Sequence, residues 1–213
     1  MAIWSMFVEG ISALLAQLAQ MLDGSFGLAI IALALFVRLM LLPMTLKVAE
    51  QGWHRQRQMA ALKPKLEHLR ELHAKDPAAY ASATQALYRE HGVTAGLGSS
   101  LRVAVVQAPI GAGIYAAIRQ GVAGAGAFLW IPKLARPDLW LAVIVSALSL
   151  AAMLLNPSMP EQTRTLLQLL PVVISFVLVW HLAAGLGLYW AGSTSVNLMQ
   201  ILLLRRRIRR MPS

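Results

Sequence analysis

The sequence has no cysteine and little charge. Of its 213 residues, 13% are charged and 58% are hydrophobic. The absence of cysteine excludes disulfides and thiolate metal sites, and the low charge excludes an ordinary soluble domain. Acidic residues are the scarcer sign, since nine Asp and Glu oppose 19 Lys and Arg, for a formal net charge of +10. The basic residues lie between and after the apolar runs, which indicates membrane topology and an anionic lipid surface and no specific nucleic acid.

Signatures of enzymes and of cofactor sites are also missing. Four of the five histidines fall in one polar stretch, where a surface position is the default. No metal-ligand spacing, no nucleophile with a base and no phosphate-binding glycine loop occurs. We therefore predict that the protein is not an enzyme, has no catalytic residue, and binds neither a metal nor another cofactor. Gly111-Ala112-Gly113 predicts close helix packing instead of a ligand loop.

Five segments are apolar enough to cross a membrane as helices, for which about 20 residues span a hydrocarbon core of roughly 30 Å. We predict an all-α polytopic membrane protein with transmembrane helices at residues 25–46, 97–120, 139–155, 166–184 and 185–204. The short later segments indicate a locally thinned bilayer. Only Ala184-Gly185 is available for the last turn, so we expect the fourth and fifth spans to form a tight antiparallel pair.

Residues 1–24 contain no lysine or arginine, and their apolar positions recur at helical spacing with polar residues such as Glu9 between them. This pattern predicts an amphipathic helix that lies in the outer membrane interface instead of spanning the bilayer. A signal peptide begins with basic residues, and none is present here, so we expect no cleavage.

Residues 47–96 are polar and predict a helical hairpin in water. Leu62, Leu66 and Leu69 belong to an apolar stripe at spacings of three and four, so the first arm is predicted to be a long amphipathic helix. Asp76-Pro77 predicts the N-cap and first residue of the second arm. His91-Gly92 predicts the end of that arm.

The distribution of Lys and Arg predicts the orientation. Residues 47–102 hold nine of them, the loop 156–165 one and the tail 205–213 five, whereas residues 1–37 hold none and residues 119–138 three. Because cytoplasmic segments carry the basic excess, we predict that the hairpin, the loop and the tail are cytoplasmic and that the N-terminus is outside. The segment between the second and third spans, 121–138, is then an external loop.

Arg38 is the anomaly of the first span, where apolar residues surround it. An arginine at that depth costs at least about 2.5–3.5 kcal/mol on insertion scales unless it faces protein or water. A buried salt bridge is the usual explanation, but every Asp and Glu lies outside the five apolar segments. Snorkelling to the cytoplasmic interface is a second explanation, although the side chain would have to pass about two helical turns. A hydrated cavity that opens to the cytoplasm explains Arg38 best.

Few other polar residues lie inside the spans. Gln107 precedes Pro109, which leaves a backbone carbonyl free in the preceding turn. For the serines of the third span and for the polar group of the fifth, interhelical hydrogen bonding is the default role. That polar group is Ser193, Thr194, Ser195 and Asn197.

Taken together, the order, spacing and topology of several short motifs resemble the YidC family of membrane protein insertases, which includes the mitochondrial Oxa and chloroplast Albino proteins. The resemblance covers nearly the whole chain. Its motifs are Val37-Arg38, Leu42-Pro43-Met44-Thr45, Lys63-Pro64-Lys65, Leu87-Tyr88, Gln107-Ala108-Pro109, Gly185-Leu186-Gly187-Leu188-Tyr189-Trp190 and Asn197 to Gln200.

This resemblance implies a five-helix core in a bacterial inner membrane, with a hydrophilic groove that is closed to the outside. It implies transfer of small or single-span membrane proteins into the bilayer without nucleotide hydrolysis, alone or beside the Sec translocon. The residues implied to contact the client are Arg38, Thr45, Gln107, Tyr189 and Trp190. The basic tail, which is implied to contact ribosomes or lipid, holds Arg205, Arg206, Arg207, Arg209 and Arg210.

The chain departs from the family pattern in ways that indicate a divergent, short member. The usual bacterial approach to the second span is replaced by Gly96 to Val103, with Arg102 inserted, and Ala183 stands where a proline is usual. We expect no large periplasmic domain before the core. Two other functions stay open: a small transporter or channel in which Arg38 binds an anionic solute, and a structural subunit of a translocon.

Overall fold

A computed structural model describes residues 2–74, 76–93, 97–156 and 166–210, and within these the side chains of all but 97–104, 106, 166–168, 209 and 210. These ranges form eight α-helices and contain no strand beyond one isolated bridge between Phe128 and Ile131. The predicted all-α class is confirmed. The helices are α1 Ala2–Met21, α2 Phe26–Ala61, α3 Lys63–Leu72, α4 Pro77–Glu90, α5 Leu97–Gly121, α6 Leu139–Leu155, α7 Leu166–His181 and α8 Ala184–Arg210.

The first helix packs along α5 and α2 through one apolar face, on which Val8, Leu15 and Ala19 are buried. It ends in a left-handed turn, since Asp23 and Gly24 both have positive φ and the amide of Gly24 donates to the carbonyl of Ala19 at 2.8 Å. By length and composition, both α1 and α2 are long and apolar enough to cross a membrane. The interfacial position of α1 therefore stays a prediction.

The second helix does not end where the predicted first span ends. It runs unbroken for 36 residues from Phe26 to Ala61 and so carries the first span and the start of the hairpin as one rod. Most residues from 47 to 61 are good helix formers, and none of them is proline, so polarity changes there without breaking the backbone pattern. The break comes at Leu62, because Pro64 in the first turn of α3 has no amide to continue the helix.

The hairpin cap was predicted correctly. The side chain of Asp76 accepts hydrogen bonds from the amides of Ala78 and Ala79, both at 3.0 Å, and Pro77 is the first residue of α4. The helix ends at His91, followed by Gly92 with φ +63°. The arms α3 and α4 pack against each other.

The prediction that the last two spans form a tight antiparallel pair is wrong. The seventh helix packs chiefly on α6, whereas α8 packs on α6 and α2, so α6 separates them along most of their length. The amides of Ala184 and Gly185 donate to the carbonyls of Arg136 and Leu134, at 2.9 and 3.0 Å. These bonds tie the first turn of α8 to the loop between α5 and α6 and direct the helix away from α7.

The last helix also passes its predicted boundary. It continues through Arg210, so the residues from Arg205 to Arg210 are helical instead of forming a separate tail. The third span, by contrast, has the predicted bounds, Leu139–Leu155. The predicted cytoplasmic loop 156–165 lies outside the described residues except for Asn156.

The apolar core lies toward one end of the bundle. Its largest fully buried side chains come from the start of α2, the end of α5, the loop between α5 and α6, and the start of α6. They include Ile30, Leu33, Ile118, Ile131, Leu134, Leu141 and Val145. On the outer face of α7, large apolar side chains are exposed, as lipid contact requires. They include Leu170, Val173, Ile174, Val177 and Leu178.

Candidate functional site

A cavity of about 360 Å³ lies between α2, α5 and α8. That volume holds on the order of ten water molecules. Of the twelve residues that line it, five have apolar side chains, one is glycine and six carry a polar group. The lining residues are Val37, Arg38, Leu41, Gln107, Ile110, Gly111, Tyr115, Leu182, Leu186, Tyr189, Trp190 and Ser193.

Arg38 reaches this cavity from the middle of α2, and its Nε donates a hydrogen bond to the hydroxyl oxygen of Ser193 on α8. Among the described residues, Ser193 is its only hydrogen-bond partner, and no acidic side chain lines the cavity. The guanidinium is therefore held by a neutral hydroxyl and keeps its charge uncompensated by protein within the described part of the chain.

The structure brings together four of the five residues expected to contact a client. Gln107, Tyr189 and Trp190 line the same cavity as Arg38. Thr45 does not line it, because Thr45 lies seven residues further along α2, where its hydroxyl is 2.9 Å from Oε1 of Gln200 on α8. The backbone carbonyls of the preceding turn lie 3.1 and 3.2 Å from the same hydroxyl, so they compete with Gln200 for its one hydrogen.

A row of polar contacts joins α2 to α8, and we call it the α2–α8 seam. Its three pairs are Arg38–Ser193, Thr45–Gln200 and Glu50–Arg207. Residue numbers rise together on both helices, so the helices run parallel. Between the first and the second pair, each helix advances by seven residues, which is two turns or about 10.5 Å. Two parallel helices keep one face in contact at this repeat.

The backbones of α2 and α8 also approach closely one turn before Arg38. A Cβ added to Gly192 would lie 3.2 Å from the Cβ of Ala34, so the two helices have room there only for small residues. Such small-residue contacts are the usual way in which membrane helices approach closely.

The loop between α5 and α6, residues 122–138, closes the cavity at one end. Phe128 packs against Gly27, and Ile131 and Leu134 are each 1% exposed. On α2 and α5, most residues nearer this loop belong to the buried core and most residues that line the cavity lie further from it, whereas on α8 Leu186 belongs to both sets. A packed apolar layer therefore separates the cavity from the end of the bundle at this loop.

The basic residues of α8 differ in their contacts. Arg207 Nη1 lies 2.8 Å from Oε1 of Glu50, and this is the one salt bridge within the described ranges. The side chains of Arg209 and Arg210 lie outside those described.

No group of three or more His, Asp or Glu side chains able to hold a metal occurs in the part of the chain that the structure describes.

Sequence reasoning missed the pairing of Ser193 with Arg38 and of Thr45 with Gln200. It assigned Ser193 only the general role of an interhelical hydrogen bond. The sequence does contain a pattern that fits these pairs. In both pairs the partners are 155 residues apart, and the second pair follows the first by seven residues on each helix. This pattern can be used only once α2 and α8 are known to be parallel neighbours.

Fold and cavity together define an all-α membrane protein with a cation in a groove that is closed at one end. The sequence pattern of the family described as 60Kd inner membrane protein matches residues 17–211. The chain therefore belongs to this family, that of the YidC-type membrane protein insertases.

Individual relatives agree. The chain is 31% identical over 180 residues to the membrane protein insertase YidC of Fusobacterium nucleatum subsp. nucleatum, covering 83% of this chain and 84% of that protein. It is 35% identical over 196 residues to membrane protein insertase YidC 1 of Halalkalibacterium halodurans, covering 88% and 73%. The match to YidC of Ectopseudomonas mendocina, at 28% identity, covers 87% of this chain but only 32% of that longer protein.

A solved structure has the same fold. It is a crystal structure of an active YidC insertase with the first transmembrane domain resolved, and it matches with a TM-score of 0.60 and 26% sequence identity. The match covers 92% of this chain and 45% of the solved one, so this chain spans less than half of that protein's length.

Proposed function

We propose that this chain moves small or single-span membrane proteins from the cytoplasm into the bilayer, and that Arg38 acts on the client's translocated segment. The observation that carries the proposal is a guanidinium in a cavity that has room for water, has no acidic side chain in its described lining and is closed at the loop end. A fixed cation with no protein counter-charge attracts a transient anionic partner.

The orientation that supports this activity places loop 121–138 outside and the hairpin inside. The loop holds two basic residues, whereas the hairpin and the end of α8 hold most of the others. The closed end of the cavity then faces the outside, and a client enters from the cytoplasm. We infer that five helices cross the membrane, namely α2 in its first part, α5, α6, α7 and α8.

The cavity lowers the barrier for polar groups that enter the membrane. Moving an unpaired polar group from water into hydrocarbon costs roughly 2–7 kcal/mol. Water in the cavity and the charge of Arg38 offset part of that cost for a short hydrophilic segment. The client's apolar helix then passes along Tyr189 and Trp190 into lipid, and no nucleotide is required because burial of an apolar helix in lipid is downhill.

The arginines at the end of α8 indicate which partners the protein contacts. The Arg-rich end of α8 extends past the seam, and Arg205 and Arg206 are not in a hydrogen bond or ion pair with any described residue. Exposed arginines of this kind bind anionic lipid headgroups and ribosomal RNA backbone through charge. We propose contact with the bilayer surface and with ribosomes, and cooperation with the Sec translocon for larger clients.

The test uses purified protein in liposomes and two single-span clients that differ only in one residue of the translocated segment, Asp or Asn. A charge-assisted hydrogen bond contributes roughly 1.5–3 kcal/mol, so Arg38→Ala should slow the acidic client about 10- to 100-fold more than the neutral one. Arg38→Lys keeps the charge and should retain part of the difference. Equal insertion of both clients by wild type and Arg38→Ala would exclude the electrostatic role.

One observation favours a second function. The cavity volume of about 360 Å³ falls in the range of small-molecule sites, and a fixed arginine suits an anionic solute. Uptake of a small organic anion by liposomes that contain wild type, lost in Arg38→Ala, would favour this transporter; insertion of the clients without any such uptake would favour the insertase.

A further inference from the structure

We infer that Ser193 is a positioning residue: it holds the guanidinium of Arg38 by Nε, so that only the two terminal nitrogens, Nη1 and Nη2, are offered to the carboxylate of a client. This inference rests on the proposed function, since it specifies how Arg38 selects its client. Ser193 is not among the residues that the family resemblance or the sequence assigned to client contact.

The contact is built into the packing of α8. Ser193 is 4% exposed, and its neighbours Gly192, Thr194 and Val196 are buried as well, so protein surrounds this turn of the helix. Because Gly192 lies against Ala34, the backbone of α8 comes close enough for a hydroxyl as short as that of serine to meet the guanidinium of Arg38. Arginine otherwise has many rotamers, and fixing one of them removes conformational freedom before a client arrives.

The geometry of guanidinium then limits how a carboxylate can bind. The planar group has five N–H donors in a fixed fork. A carboxylate binds it through two parallel hydrogen bonds, either side-on through Nε and one terminal nitrogen or end-on through both terminal nitrogens. Since Nε of Arg38 donates to Ser193, the side-on edge is occupied. The end-on edge stays available, because Nη1 and Nη2 have no partner among the described residues.

The rest of the α2–α8 seam keeps Ser193 opposite Arg38. The contact between Thr45 and Gln200, at 2.9 Å, lies two turns further along both helices and fixes the same register. Gln200 is only 8% exposed, so a shift of one helix along the other would leave its side chain buried without its partner. The α2–α8 seam therefore fixes the register of the two helices and, with it, the position of the Arg38 side chain.

Substitution at Ser193 tests the inference with the same two clients, Asp and Asn. The measured quantity is the ratio of their insertion rates, because a merely structural role would lower both rates and leave the ratio unchanged. Ser193→Ala removes the acceptor, and Ser193→Thr restores an oxygen at the same position. Ser195→Ala is the matched control, since Ser195 lies two residues away on the exposed face and donates to the carbonyl of its own helix at Ala191, at 2.9 Å.

Interhelical hydrogen bonds in membranes, converted to ratios, correspond to roughly three-fold on average and about twenty-fold at most. We expect Ser193→Ala to lower the Asp/Asn ratio within that range, Ser193→Thr to restore at least half of it, and Ser195→Ala to leave it as in wild type. In the Arg38→Ala background, Ser193→Ala should have no further effect on the ratio.

Two results would overturn the positioning role while leaving the proposed function intact. One is an unchanged ratio in Ser193→Ala while Arg38→Ala abolishes it, and the other is an equal loss for both clients without rescue by threonine. An equal ratio in wild type and Arg38→Ala would instead remove the electrostatic role of Arg38 in the proposed function. If Ser193→Ala does not fold, a Ser193→Thr chain that folds with a ratio below half of the wild-type value also contradicts the inference.

Discussion

Gly27→Ala tests whether the loop between α5 and α6 is packed as a rigid closure of the cavity. A Cβ at Gly27 would lie 2.3, 2.4 and 2.8 Å from three ring carbons of Phe128, where ordinary contact requires about 3.4 Å or more, so the ring has to move by roughly 1 Å. Movement is restricted, because two backbone hydrogen bonds of 2.9 and 2.8 Å join Phe128 and Ile131 in a tight turn. The next buried residue of the loop, Leu134, accepts the amide of Gly185.

The expected loss follows from overpacking a closed site, which costs typically about 1–3 kcal/mol. Alanine is the better helix former by about 1 kcal/mol, which offsets part of that cost, so Gly27→Ala should lower the free energy of unfolding by up to about 2 kcal/mol. The assay is unfolding of the purified protein in mixed micelles by increasing SDS. Gly52→Ala, in the same helix, is the control. An added Cβ at Gly52 meets no described atom within 4 Å, so this variant should be slightly more stable than the wild type.

Removing the ring should rescue the variant. Phe128→Leu is mildly destabilising alone, and in combination with Gly27→Ala it should recover most of the loss, since the added methyl group then has space. A Gly27→Ala protein that is as stable as Gly52→Ala would show that the loop yields freely and would refute the idea of a rigid closure.

Three further substitutions address other contacts. Thr45→Val removes the partner of buried Gln200 and should destabilise by about 0.6–1.7 kcal/mol in the same SDS assay; no change would deny the seam a structural role. Asp76→Ala removes the cap of α4 and should cost about 1 kcal/mol, visible as faster amide exchange at Ala78 and Ala79; unchanged exchange would contradict the cap. Glu50→Gln should cost at most about 1 kcal/mol, because the pair is 58% and 25% exposed, and a loss that persists in high salt would contradict a surface ion pair.

Local signals in the sequence predicted local structure well. Asp76 with Pro77 predicted a helix start, because capping depends only on residues within one turn. The apolar stretch 139–155 predicted α6 with its observed ends, since Asp138 caps it through the amide of Leu141 at 2.7 Å and Asn156 follows it. The changes in polarity after Leu46 and after Leu204 do not end a helix, because polar and apolar residues form the same helical backbone.

Long-range packing was harder to predict. A two-residue connection predicts that α7 and α8 are close at the turn, and they do meet there, since Gly187 on α8 lies close to Val179 on α7 and Leu141 on α6. Their direction beyond the turn is set by hydrogen bonds to Arg136 and Leu134 in a different loop, which no local pattern reveals. The role of Ser193 likewise required knowledge of which helix faces Arg38.

The central claim is that the cavity around Arg38 is the path of a client segment. The chain has no cysteine, so a single cysteine can be placed in the cavity by Ile110→Cys and on the outer, lipid-facing side by Val173→Cys. The measurement is the yield of disulfide to a client that carries one cysteine beside its acidic residue, trapped during insertion into liposomes. We predict a strong crosslink at position 110 and only background at 173. Equal yields at the two positions, or none at 110, would contradict the account.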